Sequence, residues 1–273
     1  MLKKRLRRLL IGDFTWKRLA RSLLLVYVSL CLYVFFRADA HIFLPQPSSY
    51  SYHPDLLKLI TPDQIQLAAV YLPNPHATYT LLYIHGNAED LGDIQPVLQN
   101  LRKIGFSVFA YDYRGYGMSE GTPTERNAYR DVETAYNYLT QELKIPPNQI
   151  ILYGRSVGGG SAVDLAANQP VAGLILESTF TKAFRVLVPF PIFPFEKFAN
   201  LDKIKQVNCP VLVIHGKADE IIPFSHGEQL FAAAPEPKLF LWVEDAGHND
   251  LNWVAGESLT EILQQFVQMV AEN

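Results

Sequence analysis

From residue 80 onward, short apolar runs rich in β-branched and aromatic side chains alternate with longer stretches of helical period, and no other feature constrains the fold as much. The runs 80–84, 106–111, 150–153, 173–176, 211–214 and 239–243 each read as a buried strand. The stretches 90–104, 125–143, 157–168, 225–234 and 257–271 read as helices. Strands separated by helices pair in parallel, and right-handed crossovers put the helices on both faces of one sheet. The expected class is therefore α/β with a mainly parallel central sheet. Ligands of such sheets lie beyond the carboxyl ends of the strands, so the residues directly after each run are where chemistry is expected.

After the run 150–153 comes Gly154-Arg155-Ser156-Val157-Gly158, and a helical stretch follows at once. This is G-x-S-x-G between a strand and a helix, the context in which the serine is forced into a sharp, strained turn with its hydroxyl exposed above the sheet. A Cβ on either flanking glycine would collide with the neighbouring strand or helix. The lysine of a phosphate-binding Walker motif is absent. Ser156 is thus the expected nucleophile, and the helix start behind it favours developing negative charge.

A serine hydroxyl needs a histidine as base and a carboxylate to orient that histidine, in the chain order Ser, acid, His. The run 211–214 is followed by His215-Gly216-Lys217-Ala218-Asp219-Glu220, and the run 239–243 by Glu244-Asp245-Ala246-Gly247-His248-Asn249-Asp250. Asp219 and His248 take the two roles, with Glu220, Asp245 and Asp250 as alternative acids. His41, His53 and His76 precede the strands; His85 and His215 end strands before glycine and suit buried hydrogen bonds; His226 opens a helix. Catalysis also needs preorganised N–H donors for the oxyanion. One is expected from Val157, another from the loop after 80–84, where Asn87 is favoured and Ala88 is the alternative. No Cys/His cluster has zinc-ligand spacing, so no metal is expected, and the mechanism requires no cofactor.

Residues 1–21 carry Lys3, Lys4, Arg5, Arg7, Arg8, Lys17, Arg18 and Arg21 against Asp13 alone, so the rest of a chain of net charge −3 is acidic. No basic surface pattern for tracking phosphates follows, and nucleic acid is not an expected partner. Directly after the basic tail, residues 22–36 hold no charge. Fifteen helical residues span about 22 Å, short of a hydrocarbon core of about 30 Å. Extension to 19–38 with Arg21 and Arg37 snorkelling closes the gap. A single-pass anchor over 22–38 is the leading expectation, with the N-terminus cytosolic by the positive-inside rule. A cleaved signal ending at Ala38-Asp39-Ala40, which would leave a secreted protein, and a buried or interfacial helix are the alternatives. The expected organisation is then a tail at 1–21, an anchor at 22–38, a linker at 39–63 entering an edge strand, and a catalytic domain at 64–273. With 49% apolar residues the chain can fill a large core, and two cysteines, Cys31 and Cys209, do not make a disulfide framework.

With Ser156, Asp219 and His248 placed, the chain resembles the α/β-hydrolase superfamily of serine hydrolases. The likeness is greatest to small membrane-associated members that include the mammalian acyl-protein thioesterases, which remove palmitate from proteins. Stretches that carry it are His85-Gly86-Asn87-Ala88-Glu89-Asp90-Leu91-Gly92, Tyr111-Asp112-Tyr113-Arg114-Gly115-Tyr116-Gly117, 150–158, Phe224-Ser225-His226-Gly227 and 242–250. The resemblance implies the α/β-hydrolase fold and ester or thioester hydrolysis. It departs at the N-terminus, which in those thioesterases is Cys-rich and acylated and here is basic and apolar with one cysteine. The resemblance implies work at the cytosolic face, whereas the charge rule puts the domain on the other side.

A lid-like insertion at 181–200 contains Val188-Pro189-Phe190-Pro191-Ile192-Phe193-Pro194-Phe195 and then Phe198, and its prolines forbid a regular helix or central strand. Such side chains suit either an acyl-chain pocket or bilayer contact, or a small core of the loop's own. Asp112, Arg114 and Tyr116 suit a role in fixing the turn after 106–111, with contact to substrate as the alternative. The function expected is an esterase or thioesterase for lipid-like acyl groups, acting through an acyl-enzyme on Ser156. A serine peptidase of aminopeptidase type is the alternative, with Glu177, or Glu89 with Asp90, as groups for a substrate amine. A non-catalytic membrane-tethered interaction module is a third reading, which the intact residue set disfavours.

Overall fold

The computed structural model describes residues 15–53 and 55–273. Every residue of β3 (Thr80–Ile84), β4 (Ser107–Tyr111), β5 (Ile150–Arg155), β6 (Gly173–Glu177) and β7 (Val211–Gly216) is buried. That is why these strands read as unbroken apolar runs, since a parallel strand covered on both faces has no solvent side to alternate toward. With β1 (Leu57–Ile60), β2 (Gln66–Leu72) and β8 (Lys238–Val243) they form an eight-stranded sheet among the described residues, in the order β1-β2-β4-β3-β5-β6-β7-β8. Pairs β1–β2 and β2–β4 are antiparallel and all the others parallel.

Helices cover both faces. The helices are α1 (Trp16–Ile42), α2 (Gln95–Ile104), α3 (Glu125–Asn137), α4 (Gly158–Asn168), α5 (Ala183–Leu187), α6 (Asn200–Lys203), α7 (Ser225–Ala233), α8 (Leu251–Ala255) and α9 (Glu257–Glu272). Val132 of α3, Val163 of α4 and Leu230 of α7 pack with Leu82, Ile84 and Leu152 on one face. Leu98 of α2 and Leu263 and Phe266 of α9 pack with Leu81, Tyr83 and Ile151 on the other. Successive residues of one strand thus enter opposite cores, the two-residue period of a pleated strand.

Two boundaries differ from expectation for local reasons. Leu57–Ile60, inside the stretch read as linker, is itself the edge strand, paired to β2 across the turn at 61–65 where Thr61 Oγ1 accepts from Ile65 N at 2.9 Å. Helix α2 starts at Gln95 rather than near residue 90, because the Asp90 carboxylate accepts the amides of Gly92 (2.9 Å) and Ser49 (2.7 Å) and holds residues 90–94 in a turn. After β4, Arg114 is buried between Asp131 (Nε to Oδ1, 2.6 Å) and Asp63 (2.7 and 2.9 Å), so it fixes the turn as its position suggested. Removing Asp131 leaves the Arg114 amide and Nε without their acceptor while Asp63 still pairs the rest of the guanidinium, and unsatisfied buried donors of this kind cost about 1–3 kcal/mol. Asp131→Ala is expected to lower unfolding stability by that order, read by urea titration, and a loss below about 1 kcal/mol would contradict this account.

Among the described residues, 15–41 form a unit separate from 42–273. Within it α1 is longer than the anchor read from the sequence: Thr15 Oγ1 caps its start by accepting Arg18 N at 3.2 Å. Twenty-seven residues reach about 40 Å, enough to cross a hydrocarbon core. Its side chains Leu23, Leu24, Leu25, Val26 and Phe36 are exposed. Residues 1–14 of the basic tail lie outside the described residues.

Candidate active site

Strand β5 ends at Arg155, and Ser156 follows at φ +51°, a left-handed conformation that costs a non-glycine residue about 1–2 kcal/mol. The strain is held in place by Ser156 N donating to Glu177 O (2.9 Å) and Thr179 Oγ1 donating to Ser156 O (2.6 Å). Both flanking glycines are steric necessities. A Cβ on Gly158 would sit 2.1 Å from the carbonyl oxygen of Ile84, and one on Gly154 would sit 2.7 Å from the Gly159 Cα. Helix α4 therefore packs directly onto β3 and β5, with the serine at its tip.

Ser156, Asp219 and His248, which come from the loops after β5, β7 and β8, stand together in the fold. His248 Nε2 lies 3.0 Å from Ser156 Oγ, and His248 Nδ1 lies 2.8 Å from Asp219 Oδ2. All three residues are buried. The other Asp219 oxygen accepts the amides of Ile221 (2.9 Å) and Ile222 (2.7 Å). Burial pushes the Asp219 carboxyl up, but hydrogen bonds from His215, His248 and the Ile222 amide outweigh it and hold it well below the usual carboxylate range. An ionised Asp219 accepts the Nδ1 proton, which leaves the Nε2 lone pair facing the serine hydroxyl. Such a hydroxyl can pass its proton to Nε2 as it attacks.

The alternative acids lie elsewhere. Glu220 and Asp245 are exposed, and Asp250 accepts the Gly247 amide at 2.7 Å. His85 Nδ1 lies 2.7 Å from Gly86 O and His215 Nε2 lies 2.9 Å from Ile222 O, the buried roles expected of them. His226 is buried as well, its Nδ1 2.9 Å from Thr181 Oγ1.

In the loop after β3 the Asn87 side chain faces a different task from the one its position suggests. Its Nδ2 donates to Ile42 O (2.7 Å), and its Oδ1 accepts from Leu44 N (2.9 Å) and Tyr116 Oη (2.5 Å). It thereby fastens the segment 42–44, whose Phe43 packs against Tyr113, Tyr116 and Phe198. Ala88 donates its amide to Asn87 Oδ1 at 3.0 Å. The backbone N–H groups of Asn87 and Val157 have no protein acceptor among the described residues.

Sequence reasoning missed the motif residue that precedes the serine. Arg155 is buried, with Nη1 2.9 Å from both carboxylate oxygens of Glu89 and Nε 3.5 Å from Glu177 Oε1. An arginine beside Ser156, with acids at Glu89 after β3 and at Glu177 at the end of β6, was the available signal. The insertion 181–200 holds a short regular helix, α5, contrary to the expectation from its prolines, because the first of them, Pro189, comes only after the helix ends. Phe184 of that helix packs together with Phe193 and Phe195, ring centroids 5.6–6.0 Å apart, and Phe198 is fully buried. Leu187 and Phe190 stay exposed, so the insertion has both a small core and an apolar outer edge.

Residues 75–201 match a family model described as serine aminopeptidase, S33. Alpha/beta hydrolase domain-containing protein 17B of Homo sapiens is 45% identical over 203 residues, which cover 73% of this chain and 70% of that protein. The chain belongs to the α/β-hydrolase superfamily. Alpha/beta hydrolase domain-containing protein aho-3 of Caenorhabditis elegans is 42% identical over 73% of this chain and 60% of its own. The fold is that of an esterase from Pyrococcus furiosus, with a TM-score of 0.68 at 19% identity over 82% of this chain and 98% of that one. An esterase from Exiguobacterium antarcticum superposes with a TM-score of 0.60 at 17% identity, over 77% and 98%. This α/β-hydrolase is a serine hydrolase of the esterase type, and its chemistry is hydrolysis of an ester or thioester.

Proposed function

We propose that this α/β-hydrolase is a membrane-anchored enzyme that removes lipid-like acyl groups through a Ser156–His248–Asp219 triad. The observation that carries the reading is the unbroken relay from Ser156 Oγ through His248 to an ionised Asp219. In the proposed mechanism His248 takes the Ser156 proton while Oγ attacks the acyl carbonyl, and Asp219 steadies the imidazolium that forms. The free amides of Val157 and Asn87 receive the oxyanion, Val157 at the start of α4 where the helix dipole assists. His248 then protonates the leaving group, and water activated by the same histidine hydrolyses the acyl-enzyme. Asn87 acts here through its backbone, its side chain being occupied by residues 42–44.

We assign residues 1–21 to a cytosolic tail, 22–38 to the anchor, 39–63 to a connection whose Leu57–Ile60 joins the sheet as β1, and 64–273 to the rest of the catalytic domain, with 181–200 as a short lid. Helix α1 supports the anchor by its length and exposed apolar surface, and the basic tail supports the cytosolic N-terminus. Leu187 and Phe190 on the lid's outer edge support an acyl-chain substrate. The aminopeptidase alternative has the family description on its side, but the acids that would bind an amine do not favour it. Glu89 and Glu177 are both paired with Arg155.

A graded series of p-nitrophenyl esters, an S-palmitoyl peptide and aminoacyl amides, given to the purified full chain, tests the substrate class. Rates that rise with acyl length and include the thioester are expected, with the protein retained in the membrane fraction after carbonate washing. Cleavage confined to aminoacyl amides would overturn the acyl reading, and release by carbonate would overturn the anchor.

A further inference from the structure

The loops after β3, β5, β7 and β8 supply the groups proposed to react, and one buried guanidinium at the end of β5 touches the loops after β3 and β8 and the last residue of β6. Arg155 Nη1 binds both Glu89 oxygens, and Glu89 Oε1 also accepts the Gly86 amide at 2.5 Å, one residue before the Asn87 amide assigned to the oxyanion. Nη2 donates to the carbonyl of His248 (3.1 Å) and to Asn249 Oδ1 (2.9 Å). Nε faces Glu177 Oε1, and Glu177 in turn accepts from Tyr153 Oη (2.5 Å) and Asn252 Nδ2 (3.3 Å). Glu177 is wholly buried, and burial pushes its carboxyl up while Arg155 opposes the shift.

We propose that Arg155 is a positioning residue of the hydrolytic reaction: its rigid fork ties the backbone of the base, at His248, to the oxyanion loop, through Glu89, across the nucleophile turn. The inference rests on the reading of Ser156 as nucleophile and His248 as base. A guanidinium is suited to the task because its planar fork of five N–H donors reaches several acceptors at once without rearranging, which a lysine ammonium on a flexible stem does not. Misplacing a reacting group by about 1 Å can cost about 10²-fold in rate. The base and oxyanion donors act in the transition state, so loss of their alignment falls on kcat and leaves KM nearly unchanged.

Arg155→Met, Arg155→Lys and Asn249→Ala, each titrated with a fluorophosphonate to count competent serines, separate positioning from stability. A purely structural role lowers the number of titratable sites but not the turnover of each one. Per titrated site, Arg155→Met is expected to lose about 10²-fold in kcat with KM within about threefold, and Arg155→Lys to recover less than about tenfold. Asn249→Ala, a change at an exposed side chain, is expected to lose about fivefold, and to lose nothing further in the Arg155→Met background because the contact is already gone. Per-site turnover of Arg155→Met within about threefold of the parent, or losses that multiply in the double variant, would overturn the proposal. If Arg155→Met yields no titratable sites, Asn249→Ala decides, and turnover within about twofold of the parent overturns it. Failure of the underlying reading is visible separately, as a parent enzyme that the fluorophosphonate does not label or a Ser156→Ala variant that it labels equally.

Discussion

Replacement of Ser156 by alanine is expected to lower kcat on a p-nitrophenyl ester by at least about 10³-fold, because it removes the atom that forms the acyl-enzyme. What remains is attack by water in a pocket that still offers oxyanion donors, which is why the residual rate should exceed the uncatalysed one. The variant is expected to fold. Serine and alanine differ by one oxygen, and the strained backbone at φ +51° is fixed by main-chain contacts to Glu177 and Thr179 that alanine keeps. KM should change little, since Oγ contributes to the transition state more than to ground-state binding. Parent and variant hydrolysing the ester at equal rates, with matching thermal midpoints, would remove Ser156 from the mechanism.

Asp219→Asn carries the next largest expected effect, a fall of about 10³–10⁴-fold in kcat. An amide in place of the carboxylate can present its NH₂ to His248 Nδ1, which turns the ring to the wrong tautomer and takes the lone pair away from Ser156. The same change alters the response to acid. Native Asp219 is held below the usual carboxylate range, so the unfolded chain takes up that proton first. The resulting stabilisation is present above the ordinary carboxylate value of about 4 and is lost as pH falls below it toward the native value. Thermal midpoints measured from pH 5 to pH 3 should therefore decline more steeply for the parent than for Asp219→Asn. Equal slopes would mean that the Asp219 hydrogen bonds add no pH-dependent stability, and an unimpaired kcat would mean that Asp219 does not orient the base.

Much of this molecule is legible along the chain because burial leaves a local signature. Strands β3 to β7 are covered on both faces and so appear as runs without polar interruption, and the residues that matter follow them directly. Chain order placed Ser156, Asp219 and His248 each in the turn that follows one strand, and the fold brings the three within hydrogen-bond reach of one another. β1 was hidden because four residues, one of them Lys58, are too few to show a period, and the strand exists only by pairing with β2. Asn87 shows a different limit. Its place in the loop pointed to the oxyanion, a role proposed for its backbone N–H, while its side-chain amide reaches Ile42 and Leu44, and nothing local says that it does.

The alternation of strands and helices and the steric need for Gly154 beside Gly159 follow from spacing and sterics that act within about ten residues. The need for Gly158, set by the distant Ile84 carbonyl, does not, and neither does the Arg155 network. Its guanidinium meets Glu89 and His248 at separations of 66 and 93 residues, and those meetings depend on β5 lying beside β3 and β6 while the chain visits them in another order. An ionic contact is set by where a charge ends up in space, and a buried one survives only if every partner arrives together. The alternation of buried strands and helices was therefore written in the sequence, while the joining of the Ser156 turn, the loop after β3 and the His248 backbone through Arg155 came from the order in which the sheet assembles those strands.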